Sequence, residues 1–592
     1  MAGTQPTADP KPLDWKDISA LKQQQRDSLL KWKLDPKLLD DKILDVTHIP
    51  AESGILDQLE LEITDSNAET ILKKLAEGVW TSEDVTVAFC KRASIAQQLT
   101  NCLTEICFDD AIARAKELDA MFKDTGKLAG PLHGLPVSIK DNFKIKGLDS
   151  TLGFICWANK PLDEDSVLIT ILREAGAVLY CKTNVPTAMM IAETYNNVWG
   201  RTTNPYNRSL SCGGSSGGEA ALLALKGSPL GVGTDIGGSI RIPGTFCGLY
   251  SLRPSFGRFP TYGARSGLAG QEAVNSVNGP LSRSLEALSI FASAVVDGGK
   301  PWLHDPKAVP IPWRAVNLPK KLSIGVMKHD GVVRPHPPVE RALDLALGAL
   351  KKAGHEVIEF TSFDSAKGLF YLANCFTADG GISIKKLIAE SGEDWPLGLL
   401  AYKETSHHPS TYELWQLQAG RTEYQKNSLD HWMKTKELTS TGREIDFILC
   451  PTTPYAACPH DTFEYVGYTG IYNVIDWAAA TIPVLRASPE IDVRTPEYDA
   501  YKPVSAIDER IWKTYEPEKY AGGPVSVQLV GRRLEEEKVL AGCKVLEEAL
   551  KSAGVRVAPL EAILSALDAL LLPYHSEGSI LFITKLGPIN YD

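Results

Sequence analysis

No uninterrupted apolar run in this 592-residue chain approaches the length of about 18 residues needed to cross a bilayer. Stretches such as Ala220 to Leu225 and Leu570 to Leu572 are too short. The opening segment, Met1 to Asp14, has no apolar stretch behind a basic region, so neither a secretory signal nor a membrane anchor is expected. Paired cysteines are missing too. The 11 cysteines are scattered singly, odd in number and without a C-x-x-C pair, which argues against a secreted disulfide framework and for a reducing, cytoplasmic setting. Neither the adjacent His407 and His408 nor Cys102 and Cys107 carry the flanking ligands of a zinc site, so no metal and no cofactor is expected. Positive charge is in deficit. With 62 basic against 73 acidic residues, a net charge of -11 excludes nucleic acid as the main partner.

What is present is ordinary globular material, 44% hydrophobic and 23% charged, enough for a large core. Residues 1–59 read as an N-terminal helical arm, with an apolar stripe along Trp15 to Leu34. Helices and strands then alternate. Ser82 is placed to cap a helix carrying Val85, Phe89, Ala93 and Ile95 on one face. Asp163 or Asp165 is placed to cap the next, which Gly176 ends before a buried strand at Ala177 to Cys181. The same helix–glycine–strand unit recurs from Val339 through Gly354 to Phe360, and Val525 to Val530 reads as a strand leading into a helix at Leu534 to Ala553. The alternation predicts an α/β fold, a sheet covered by helices on both faces. Residues 558–592 read as a terminal amphipathic helix (Leu560, Ile563, Leu564, Leu567, Leu571) and a tail.

Between Pro136 and Arg258 the composition changes. Gly213-Gly214-Ser215-Ser216-Gly217-Gly218-Glu219 is a Gly/Ser loop running into an apolar helix, and Gly233-Thr234-Asp235-Ile236-Gly237-Gly238-Ser239-Ile240-Arg241 is a second one. Such loops offer backbone NH groups to an anion or to a developing oxyanion. Phosphate binding fails on spacing and charge. Gly231, Gly233 and Gly237 give G-x-G-x-x-x-G rather than G-x-G-x-x-G, and Glu219 stands where a P-loop needs Lys-Ser/Thr.

Nucleophilic catalysis fits better. Ser239 follows three residues, Ile236, Gly237 and Gly238, whose NH groups can converge with its own as an oxyanion hole. No histidine occurs between His133 and His304 to serve as a local base, and G-x-S-x-G is absent around Ser239. Lys140 stands out instead. It closes the apolar strand Leu135 to Ile139, where desolvation can leave a neutral amine; taken alone, a strand-end lysine is far more often a solvated charge than a base.

Together these residues carry a resemblance. The run Gly213 to Gly244, with Asp235, Ser239, Arg241 and Pro243, resembles the amidase signature, and Lys140 stands seventy-five residues before Ser215, as it does in that family. Gly130-Pro131-Leu132-His133-Gly134-Leu135-Pro136, Pro335-His336-Pro337-Pro338 and Ala521 to Arg532 resemble its fungal acetamidase-like branch, related to the fatty acid amide hydrolases. The likeness runs from about Ser53 to Val557, giving an expected amidase-signature domain at 60–557 built on a large mixed central β-sheet.

The resemblance implies Ser239 as nucleophile, Ser215 as a bridging serine after a cis peptide bond and Lys140 as general base. It also implies an oxyanion hole from Ile236, Gly237, Gly238 and Ser239. Gly213 and Gly214 fall at the substrate. Met189 and Met190 match the acyl-pocket stretch of relatives or are ordinary core. Ser216 supports the relay or caps the following helix. Asp235 and Arg241 brace the loop as an ion pair, with Thr234 hydrogen-bonding inside it. The implied reaction is hydrolysis of a small aliphatic primary amide. A lipid amidase or a catalytically inert amide-binding or protein-binding homologue is the alternative. A small-molecule amide is the expected partner, and a homodimer is compatible with the reading.

Overall fold

A computed structural model describes residues 14–555 of the chain. The expected C-terminal helix and tail lie outside those residues. Eleven strands form one sheet: β1 (Leu103–Ile106), β2 (Pro136–Lys140), β3 (Val178–Thr183), β4 (Leu230–Asp235), β5 (Tyr250–Arg253), β6 (Val277–Ser282), β7 (Ser323–Val326), β8 (Glu356–Glu359), β9 (Phe447–Pro451), β10 (Ala479–Arg486) and β11 (Pro524–Val530). Their spatial order is β1-β3-β2-β4-β6-β5-β10-β11-β9-β7-β8. The sheet is mixed. β3, β2 and β4 run parallel in one half, flanked by an antiparallel edge strand β1, and β9, β7 and β8 run parallel at the other end, with antiparallel pairings between the two groups.

Every residue of β2, β4, β6 and β11 is buried. Successive side chains point to opposite faces, so burial of whole strands means that both faces are covered. The sequence anticipates this α/β architecture. Its sheet edges are handled differently from its centre. The helix Trp15–Ser28 lies along β1: Arg26 donates to the Leu103 carbonyl at 3.1 Å, and Lys22 pairs with Glu105 at 2.7 Å and Asp149 at 2.8 Å. An edge strand covered in this way is closed to further pairing. β8, at the opposite edge, is only partly buried.

Two helix starts differ from expectation. Ser82 is the first residue of its helix, and the cap is Thr81, which forms a reciprocal box with Asp84. Two neighbouring hydroxyl residues made the choice ambiguous, and the carboxyl three residues on from Thr81 decides it. The helix Val167–Glu174 is preceded by Ser166 without a side-chain cap bond. Asp165 instead accepts from the Lys146 NH at 2.7 Å and pairs with Arg173 at 3.1 Å.

Candidate active site

β2 and β4 are parallel neighbours, with Val137, Ser138 and Ile139 opposite Leu230, Gly231 and Val232. Their C-terminal ends therefore lie side by side. There Lys140, the last residue of β2, meets the loop that follows Asp235, the last residue of β4. The ends of adjacent parallel strands are where open α/β sheets leave room for a ligand.

Lys140 is fully buried. Its Nζ lies 2.8 Å from Ser215 Oγ, donates to Thr234 Oγ1 at 2.7 Å and approaches the Thr234 carbonyl at 3.4 Å. Burial disfavours the ammonium form and outweighs the opposing pull of Asp235 and Glu219, lowering the pKa to about 7. A neutral amine fits these surroundings well. Its two hydrogens face the oxygens of Thr234, and its lone pair is left for the Ser215 hydroxyl.

Ser215 follows a cis peptide bond from Gly214. A Cβ on Gly214 would stand 2.7–2.8 Å from the backbone of Ile191, Ala192 and Glu193, and one on Gly213 would stand 2.8 Å from Pro243 Cα. These two glycines let the loop press between two backbone segments. The next residue, Ser216, sits at the cap position of the helix Gly217–Ala224 but makes no capping hydrogen bond. Its Oγ instead meets the backbone of Thr234, with the Thr234 NH at 3.4 Å and its carbonyl at 3.5 Å. Ser216 thus holds the residue that holds Lys140.

Ser239 is partly exposed, and its carbonyl accepts the Ser216 NH at 3.1 Å, tying the two loops together. Its hydroxyl makes no hydrogen bond among the described residues. Of the four expected oxyanion donors, Gly238 is already committed, its NH donating to Asp235 Oδ1 at 2.8 Å. The NH groups of Ile236, Gly237 and Ser239 have no partner among the described residues. Gly238 has φ +130, and a Cβ there would meet Thr469 Oγ1 at 2.3 Å, so only glycine fits.

Beneath the loop, Asp235 and Arg241 form a two-point ion pair at 3.0 and 3.1 Å with both side chains fully buried. Asn473 bridges them, accepting from Arg241 at 2.6 Å and donating to Asp235 at 2.8 Å, and Arg241 also reaches Gln528 at 3.3 Å. Burial alone would raise the Asp235 pKa; the Arg241 guanidinium overcomes this and holds the carboxyl well below the usual carboxylate range.

Met189 and Met190 are half-buried against an apolar cluster, separate from the main core, that includes Leu152, Phe154, Ala188, Leu268 and Leu399. Phe376 packs against the same cluster and reaches the loop that carries Ser239, where a Cβ on Gly237 would lie 3.7 Å from its ring. Among the described residues no group of three or more His, Cys, Asp or Glu side chains is placed to hold a metal ion. None of the described helices is long and apolar enough to cross a membrane.

Sequence reasoning missed several contributors. Asn473, Gln528 and Thr469 come from elements more than 220 residues downstream of the loop, and no local signal marks them. Glu219 was visible only as a charge that excludes phosphate, yet it is fully buried between β2 and β3.

Comparison with known proteins gives a consistent picture. Residues 84–540 match the family described as Amidase. The chain is 42% identical over 559 residues to an acetamidase of Emericella nidulans, covering 93% of this chain and all of that one. It is 40% identical over 538 residues to an acetamidase of Aspergillus oryzae, covering 89% and 97%. Among solved structures it is similar to a fatty acid amide hydrolase, with TM-score 0.85 and 32% identity over 92% of this chain and 95% of that one. The chain belongs to the amidase signature family and is an amide hydrolase.

Proposed function

We propose that the chain hydrolyses small aliphatic primary amides to carboxylate and ammonia through Ser239, Ser215 and Lys140. The observation that carries this reading is the buried Lys140 amine 2.8 Å from Ser215, with its pKa lowered to about 7. In the first half-reaction Ser239 Oγ attacks the amide carbonyl. Its proton passes to Ser215 as the Ser215 proton passes to Lys140. The tetrahedral oxyanion is held by the NH groups of Ile236, Gly237 and Ser239. The C–N bond then breaks as the Lys140 proton returns through Ser215 to the leaving nitrogen, which departs as ammonia. Water attacks the acyl-Ser239 ester by the same relay and releases the carboxylate.

The likeness to two acetamidases, aligned over nearly the whole chain, favours the short-substrate reading. A second reading, hydrolysis of lipid amides, is favoured by the fatty acid amide hydrolase likeness and by the apolar cluster at Met189, Met190 and Phe376 beside the loop. Ammonia release from acetamide, benzamide and oleamide, with Ser239→Ala as blank, separates them. Release peaking at acetamide supports the proposal, a peak at oleamide replaces it with the second, and turnover by Ser239→Ala refutes the nucleophile.

A further inference from the structure

We propose that Glu219 is a positioning residue of the relay: its buried carboxyl locks the helix that follows Ser215 to the strand that carries Lys140 and to that strand's neighbour. The inference rests on Lys140 being the base. Glu219 lies in the first turn of the helix Gly217–Ala224, which begins two residues after Ser215, and it is fully buried. One carboxyl oxygen accepts from Ser138 Oγ of β2 at 2.6 Å and the other from Thr183 Oγ1 of β3 at 3.0 Å.

Ser138 and Lys140 are two apart on β2, so they share a face of the sheet. Thr183 is paired with Lys140 across the β2–β3 ladder. The bond from Ser138 therefore ties the helix that follows Ser215 to the strand bearing the base, two residues from it. The bond from Thr183 ties the same helix to the adjoining strand at the level of the base. Ser138 also meets Ser228 Oγ at 2.9 Å, and Ser228 donates to the Leu230 carbonyl at the start of β4. The network thus joins all three parallel strands to one carboxyl.

A carboxyl so placed is also felt electrostatically. Burial raises the Glu219 pKa to about 8, against the hydrogen bonds from Ser138 and Thr183 and the charge of Lys140. In turn an ionised Glu219 raises the proton affinity of Lys140, but where Lys140 titrates the carboxyl is itself largely protonated. Two such groups titrate as a pair rather than singly. The surrounding elements bring few competitors. β3 supplies Tyr180 and Cys181, both raised by burial, and Lys182, which hydrogen-bonds to Asp149 and Ser150. Cys102 lies just before β1. β4 and the helix Arg241–Phe246 supply the mutually paired Asp235 and Arg241. The helix Ser82–Thr100 supplies Cys90 and Arg92, the latter paired with Asp65. β6 carries no titratable side chain.

The test is kinetics of the full chain across about pH 5 to 10 with Glu219→Gln and Glu219→Leu. Glutamine is the isostere of the neutral acid and can keep both contacts, but it carries no charge. It is expected to keep kcat within about threefold of wild type, because Glu219, with its pKa raised to about 8, is itself largely protonated where Lys140 titrates. Glu219→Leu removes the lock and is expected to lower kcat by about tenfold or more with KM within about twofold. A kcat as low in Glu219→Gln as in Glu219→Leu, or a wild-type kcat in Glu219→Leu, overturns the inference. If the leucine variant does not fold, Ser138→Ala, which deletes the bond to β2, takes its place with the same expected loss and the same overturning result. The parent reading fails separately, if the wild-type enzyme has no acid limb or Lys140→Ala keeps its activity.

Discussion

Thr234 turns both of its oxygens toward the amine of Lys140, the hydroxyl at 2.7 Å and the carbonyl at 3.4 Å. The third direction around the nitrogen is taken by Ser215 at 2.8 Å. An amine with two acceptors at one residue and a hydroxyl on the remaining side is aimed as well as desolvated. Thr234→Val keeps the shape and deletes one acceptor. It should lower kcat about tenfold, equivalent to about 1.4 kcal/mol of lost alignment, and should move the acid limb of the rate profile to lower pH. Steady-state kinetics against pH reads both effects; an unchanged kcat would show that the hydroxyl does not aim the amine.

The pH dependence of the unmodified enzyme follows from the direction of the Lys140 shift. Its pKa falls from the ordinary lysine range to about 7 through burial, and the proposed relay requires the neutral form. The rate should therefore rise with pH through about 7 and level off above it, where an unshifted lysine would still be protonated. A kcat/KM profile on acetamide checks this, and a maximum near about pH 5 would remove Lys140 as the base.

Lys140→Arg separates charge from proton transfer. Arginine restores a cation at the end of β2 but stays protonated, so it cannot accept from Ser215. The variant should be as inactive as Lys140→Ala, each down by about 10²–10⁴-fold. Arginine must also fit a fully buried site, so thermal unfolding should be followed alongside. Activity recovered by arginine and absent in alanine would mean that the site needs positive charge rather than a base.

The parts of this site legible in the sequence were those carried by short-range chemistry. Gly/Ser spacing picked out both loops, and an apolar run ending in lysine picked out Lys140. The ion pair of Asp235 with Arg241, six residues apart, was readable because the two flank one short loop. What could not be read depends on sheet order. β4 lies between β2 and β6, and β10 and β11 enter beside β5, so Asn473 and Gln528 reach the loop only once the strands are arranged. The use of the Gly238 NH by Asp235 is invisible for another reason. The sequence shows that an NH exists, and only backbone conformation shows which way it points. Thr81 and Ser82 illustrate the limit at helix ends, where adjacent hydroxyls compete and a side-chain contact settles the boundary.

The buried pair beneath the oxyanion loop gives a stability prediction with a definite sign. Arg241 holds the Asp235 carboxyl ionised far below its ordinary pKa, so the native state binds its proton less readily than the unfolded chain does. That contribution is present in full above the unfolded carboxylate pKa of about 4 and diminishes as pH falls below it. Asp235→Asn strands the Arg241 charge in a fully buried site, and loss of one partner of such a pair typically costs about 3–5 kcal/mol. Urea unfolding at neutral pH should show that loss, and the gap from wild type should narrow below about pH 4. Because Asp235 also fixes the Gly238 NH, the variant should lose kcat even where it remains folded. A gap that stays constant down to about pH 3 would show that the pair is held by packing and hydrogen bonds rather than by its charge.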